Sequence, residues 1–68
     1  MKYFILWIMS NGKNPRCRRF YQEESAYRYL YKKYKSVLID RRNFGKKKGL
    51  RCRWTSKLCF GEIIEAKK

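Results

Sequence analysis

The chain has 68 residues, enough for one domain with a thin core, because chains of this size bury only about 60% of their unfolded surface. Nineteen Lys and Arg against five Asp and Glu give a formal net charge of +14, and there is no histidine. That balance excludes an imitation of DNA and points to a polyanionic partner, since unmatched cations repel one another until a counter-charge arrives.

Charge of this size also suits a disordered tail, but disordered tails lack aromatics, and here 44% of residues are hydrophobic and 18% aromatic. The expectation is a single folded basic domain over residues 1–68. Residues 3–9, YFILWIM, form an apolar run rich in β-formers. It fits a strand covered on both faces or one pairing centrally in a sheet. Only one Lys precedes the run and no small-residue cleavage site follows, so it reads as a first strand and not a signal peptide. It is too short to span a bilayer. The expected location is the cytoplasm.

Residues 10–14, SNGKN, are a turn cluster with Asn-Gly as the hairpin signal. Pro15 opens a second strand over 16–21, at a position where a missing N–H is tolerated. Residues 22–36 read as a helix. Glu23 and Glu24 suit the positive end of its dipole, and Lys32, Lys33 and Lys35 the negative end. Tyr27, Leu30, Tyr34 and Val37 recur at helical spacing as one apolar stripe. Residues 37–40 read as a short strand, 41–49 as a Gly- and Lys-rich loop, and 50–54 as a strand alternating Leu50, Cys52 and Trp54 with Arg51 and Arg53. A tight connection at Thr55-Ser56 leads to a last strand over 57–64, with Gly61 as a bulge site. Residues 65–68 read as a frayed tail. The sum is an α+β fold: a single antiparallel sheet with one helix packed on one face, in the order β-β-α-β-β-β.

Cys17, Cys52 and Cys59 are odd in number and lack CxxC spacing, which argues against a secreted disulfide framework. They read as reduced core thiols, with a Cys52–Cys59 pair across a hairpin as the alternative. Without histidine, zinc would need Asp or Glu as a fourth ligand. No metal or other cofactor is expected.

The densest cationic segment holds Arg41, Arg42, Lys46, Lys47, Lys48, Arg51, Arg53 and Lys57 with no acid. Mobile lysines followed by arginine forks suit phosphate backbone. A loop kept soluble by charge is the plainer reading. Arg16, Arg18 and Arg19 surround Cys17 as Arg51 and Arg53 flank Cys52. Alternation places each Cys inward and its Arg neighbours outward, on one basic face or on edge strands guarded by charge. On the helix, Arg28, Lys32 and Lys35 recur on a different face from the apolar stripe, either solvated or binding. Tyr29 and Tyr31 flank that stripe. Trp7, Phe44 and Trp54 are stacking candidates if exposed and core residues otherwise; exposed aromatics among cations suit unpaired bases.

Catalysis finds no support. There is no histidine base, the carboxylates are scattered, and Gly45-Lys46-Lys47-Lys48-Gly49 lacks the spacing and the Ser or Thr of a P-loop.

The strand YFILWIM, the turn NGKN, the strand RCRRF and the helix EESAYRYLYKKY together resemble the hairpin-plus-helix of AP2-like and phage-integrase arm-binding DNA-binding domains. The resemblance covers residues 3–34 and departs from that family in lacking the strand that precedes the hairpin. It implies Ala26 and Leu30 against the sheet, and Arg16, Arg18 and Arg19 near DNA. In size and basicity the chain is also similar to small phage-encoded host-takeover and anti-defence proteins.

The first expectation is thus a non-catalytic protein binding DNA or RNA. Others are an inhibitor of a host protein or nucleoprotein complex and a ribosome-associated RNA binder. Membrane binding is disfavoured because the helix needs its apolar stripe for the sheet. An exposed first or last strand would permit pairing into a dimer.

Overall fold

A computed structural model describes residues 1–67. The observed order is β1 (Lys2–Met9), β2 (Arg16–Phe20), α1 (Glu23–Tyr34), β3 (Val37–Asn43), α2 (Gly45–Lys48), β4 (Leu50–Thr55) and β5 (Phe60–Lys67). All five strands join one antiparallel sheet ordered β2-β1-β5-β4-β3, with α1 entering between β2 and β3. The α+β architecture is the one expected, with the single turn of α2 added.

β1 does pair centrally, between β2 and β5. Its two sides then meet different surroundings. Phe4, Leu6 and Ile8 are buried beneath α1, together with Ala26 and Leu30 of the helix, Leu50, Cys52 and Trp54 of β4, Cys59, and Ile63 of β5. Ala26 and Leu30 lie four apart, which puts them on one side of the helix and against the sheet. Tyr34 continues that line by stacking on Trp54, with ring centroids 6.1 Å apart. Val37 was expected to extend the stripe but begins β3 and is 65% exposed. The helix ends at Tyr34 because Lys35 turns left-handed, φ 54°, and returns its N–H to the Tyr31 carbonyl.

Several boundaries differ from expectation. β3 continues through Arg41, Arg42 and Asn43, paired to Cys52, Arg51 and Leu50. A hydrogen-bonded ladder needs no apolar alternation, so the charged stretch carried no strand signal. The register slips between Leu38 and Asp40, so the sheet's irregularity lies there and not at Gly61. Gly61 instead sits where a Cβ would collide with the Trp7 carbonyl oxygen and meet the Trp54 indole nitrogen at 3.1 Å. Residues 57–59 belong to the β4–β5 connection, closed by a Ser56 N–H to Cys59 carbonyl bond of 2.8 Å. Residues 65–67, read as a tail, are strand, because Lys2, Tyr3 and Phe4 supply pairing partners for Lys67, Ala66 and Glu65. The first and last strands are central, so the open edges are β2 and β3. No helix among the described residues is long and apolar enough to cross a membrane.

The lysine segment is not a flexible loop. Asn43 Oδ1 accepts the Gly45 N–H at 2.9 Å, Gly45 carbonyl accepts the Gly49 N–H at 2.7 Å, and Gly49 carbonyl accepts the Phe44 N–H at 2.8 Å. Glu65 packs over Gly49 and accepts the Leu50 N–H at 3.1 Å. Lys46, Lys47 and Lys48 stand on this closed turn.

Candidate nucleic-acid interface

Register decides where each cation points. Leu6 pairs with Arg18 and Ile8 with Arg16, so both arginines share the helix side of the sheet with those core residues. Cys17 pairs with Trp7 on the opposite side and is exposed. The expected orientation of β2, cysteine in and arginines out, is therefore inverted, and Cys17 is not a core thiol. In β4 the expectation holds: Cys52 is buried and Arg51 and Arg53 face outward. The two arginine pairs thus lie on opposite sides of one sheet, separated by β1 and β5, and do not form one basic face.

The inversion follows from what the helix offers β2. Arg18 lies 4.5 Å from the Tyr29 ring centroid and donates to the Tyr29 hydroxyl at 3.3 Å. Arg16 donates to the Tyr34 hydroxyl at 3.3 Å. Tyr29 in turn packs on Phe20 at 5.6 Å. Guanidinium groups gain both π-face attraction and hydrogen bonds here, whereas a thiol would leave the tyrosine rings uncovered. Burial works to raise the Tyr29 phenol, but hydrogen bonds from Lys33 and Arg18 outweigh it and hold it below its ordinary value.

The acids divide the remaining cations into two groups. Arg41 bridges Glu23 at 2.7 Å, Arg51 bridges Glu62 at 3.0 Å, and Arg53 and Arg42 bridge Asp40 at 2.8 and 4.0 Å. Glu23 also accepts from the Tyr27 hydroxyl. The Arg41 hydrogen bond outweighs burial and holds the Glu23 carboxyl below its ordinary range. On the same side of the sheet, burial raises the Tyr27 phenol and the Cys52 thiol, which lie 3.2 Å apart. Arg41, Arg51 and Arg53 are thus held close by carboxylates, with Arg42 at the edge of reach of Asp40, and the sequence did not show the first three pairings because the partners are remote along the chain.

The other nominated residues, Arg16, Arg18, Arg19, Arg28, Lys32, Lys35, Lys46, Lys47, Lys48 and Lys57, form no salt bridge among the described residues. Strand direction sorts them further. Arg28 and Lys32 lie exposed along α1. Lys35 lies at its C-terminal end, where an open cleft of about 540 Å³ is lined by Lys33, Tyr34, Lys35, Ser56, Lys57 and Leu58. Lys57 comes to the helix end because β4 and β5 turn back beside Trp54, on which Tyr34 stacks. Among the described residues no acid lines this cleft. Arg16 reaches its rim through Tyr34. Lys46, Lys47 and Lys48 stand at the opposite end of the strands, where Lys2, Lys46 and Lys67 line a second hollow shared with Glu65. Arg19 points away from the helix and lies 4.6 Å over the Tyr3 ring.

Sequence reasoning passed over Lys33. It lies 5.5 Å from the Tyr29 ring centroid and 5.8 Å from that of Tyr34, next to Arg18. Its spacing of four from Tyr29 was the available signal. Of the aromatics, Trp54 is core, Tyr31 and Phe44 are exposed, and Trp7 lies half-buried on the side away from the helix. Among the described residues no group of three or more His, Cys, Asp or Glu is gathered as a metal set. Comparison with known proteins finds no match to a family model, a curated protein or a solved structure.

Proposed function

We propose that the protein is a non-catalytic nucleic-acid-binding module whose helix side holds phosphate backbone. The observation that carries this reading is the acid-free cationic surface running from Arg18 and Arg16 past Lys33 and Lys35 to Lys57. Glu23, Asp40, Glu62 and Glu65 are engaged by Arg41, Arg53 and Arg42, Arg51 and the Leu50 amide, and Glu24 stands exposed in the first turn of α1, at the opposite end of the helix from Lys33 and Lys35, so none of them lines the cleft at Lys35 and Lys57. The cations here serve two chemistries. Arg16 and Arg18 are braced by tyrosines and present fixed forks, while Lys33, Lys35 and Lys57 supply mobile point charges.

The test is binding to labelled duplex DNA, single-stranded DNA and structured RNA across a salt series, read by fluorescence anisotropy. Five phosphate contacts would give a slope of log K against log salt of about −4.5 on duplex DNA. Negligible binding to all three at low salt would defeat the reading and send the search to acidic protein partners.

A further inference from the structure

Among the described residues, no element packs over the side of the sheet away from α1. An antiparallel sheet face left to water ordinarily shows polar residues between buried ones. β1 departs from that rule, since its outward residues are Tyr3, Ile5, Trp7 and Met9, all half-buried. Their β5 partners in the same rows are Ala66, Ile64, Glu62 and Phe60. Apart from Glu62, which is bridged to Arg51, these residues form an apolar, partly aromatic band down the centre of the open face. Trp7 and Phe60 are diagonal neighbours across β1 and β5, side chains about 7–8 Å apart at their bases. Phe60 is 48% exposed.

The rim of this band is cationic. Arg19 stands over Tyr3 on the β2 side. Beyond the Arg51–Glu62 and Arg53–Asp40 pairs, Arg42 lies on β3 with its side chain 70% exposed and its link to Asp40 stretched to 4.0 Å. A second copy of the chain would bring another +14 against the first, so self-association over this face is opposed by charge. An uncharged apolar segment would strip water from the rim guanidinium groups with no anion in return. A strand with flat apolar faces and an anionic backbone satisfies both band and rim.

We propose that the open sheet face binds unpaired bases of single-stranded nucleic acid, stacked on Trp7 and Phe60, with Arg19 and Arg42 on flanking phosphates. The assignment rests on the nucleic-acid reading but uses the side opposite the helix cations, so the two surfaces separate by mutation. Base–aromatic stacking tolerates any sequence, because every base has a π-face.

Tryptophan fluorescence tests this directly, because Trp54 is 1% exposed and Trp7 is the other tryptophan. Titrating the full chain with a fifteen-residue oligothymidylate should quench Trp7 saturably, and Trp7→Phe should abolish the quenching while retaining affinity. Trp7→Lys is the sharper variant. Charge alone would tighten its binding, whereas loss of a stacked base weakens oligothymidylate binding about tenfold and leaves duplex binding intact. Phe60→Thr, at a surface position of a strand, should weaken the oligomer in the same direction, with far-UV circular dichroism confirming the fold. Bound oligomer without quenching, or Trp7→Lys binding as tightly as the parent, would overturn the stacking assignment while the phosphate reading stands. Failure of both duplex and oligomer to bind at low salt would overturn the two together.

Discussion

The partition of cations by carboxylates can be tested by two variants that look alike in the sequence. Lys33→Gln, Lys35→Gln and Lys57→Gln together remove the three lysines of the cleft beside Tyr34, none of them bridged to an acid. Each lysine that neutralises one duplex phosphate contributes about 0.9 to the slope of log K against log salt. The triple variant should therefore flatten that slope by about 2.7 on duplex DNA. The control removes a bridge whole, Arg51→Gln with Glu62→Gln, at unchanged net charge. An exposed pair of this kind contributes about 0–1 kcal/mol to stability, so the control should fold normally. Its slope should match the parent within about 0.5, since a matched guanidinium releases no counterion. Anisotropy on a labelled duplex from roughly 50 to 300 mM salt, over which the Debye length falls from above to below about 10 Å, reads both. Equal flattening by the two variants would refute the reasoning, because it would mean that bridged arginines leave their acids to reach phosphate.

Three further outcomes follow from the fold. Gly61→Ala drives a methyl carbon into the Trp7 carbonyl oxygen in a central strand, and the backbone there cannot yield without breaking the β1–β5 ladder; a loss of at least about 3 kcal/mol is expected, seen as a melting midpoint lowered by more than about 12 °C. A colorimetric thiol reagent should titrate Cys17 rapidly in the folded protein, and Cys52 and Cys59 only on denaturation, because the first is exposed and the others are buried; a Cys17 that reacts only on denaturation would contradict the register of β2. Glu23 titrates below its ordinary value of 4.5 in the fold, so its contribution is present above that value and lost as pH falls through the folded pKa. Glu23→Gln should therefore lower stability by up to about 1 kcal/mol at pH 7, the gap to the parent closing in acid; urea melts at pH 7 and pH 3 check it.

The helix was legible because three signals coincided: acids at one end, lysines at the other, and Leu30 with Tyr34 at helical spacing. The hairpin was legible from Asn11-Gly12, where Gly12 takes a φ of +72°. What escaped were features settled by a partner remote in sequence. Nothing in RCRRF says whether the cysteine or the arginines face the core; pairing of Arg18 with Leu6 says so, and Tyr29 and Tyr34 stabilise that choice. Residues 41–43 looked like loop because strand propensity there is low, and β4 supplies the ladder. The cationic segment 41–57 was visible as composition, but its division into bridged arginines and unbridged lysines needed Glu23, Asp40 and Glu62 in place. Trp7 and Trp54 were indistinguishable as letters; one lies in the core and the other on the open face.

The strand order β2-β1-β5-β4-β3 also governs how the molecule comes into being. The hairpin β1–β2 with α1 and the meander β3-β4-β5 are each built from neighbours along the chain, yet their backbones join at the seam between β1 and β5, more than fifty residues apart. That seam carries the longest loop closure in the fold, and long closures slow folding. On the ribosome the hairpin must wait, with the apolar residues of β1 uncovered, until β5 has emerged. Linking residue 67 to residue 2 and opening the chain in the turn at Gly12 would make β1 and β5 a local pair and pass the longest closure to β1–β2, so that the edge strand β2 would dock last on a sheet already formed.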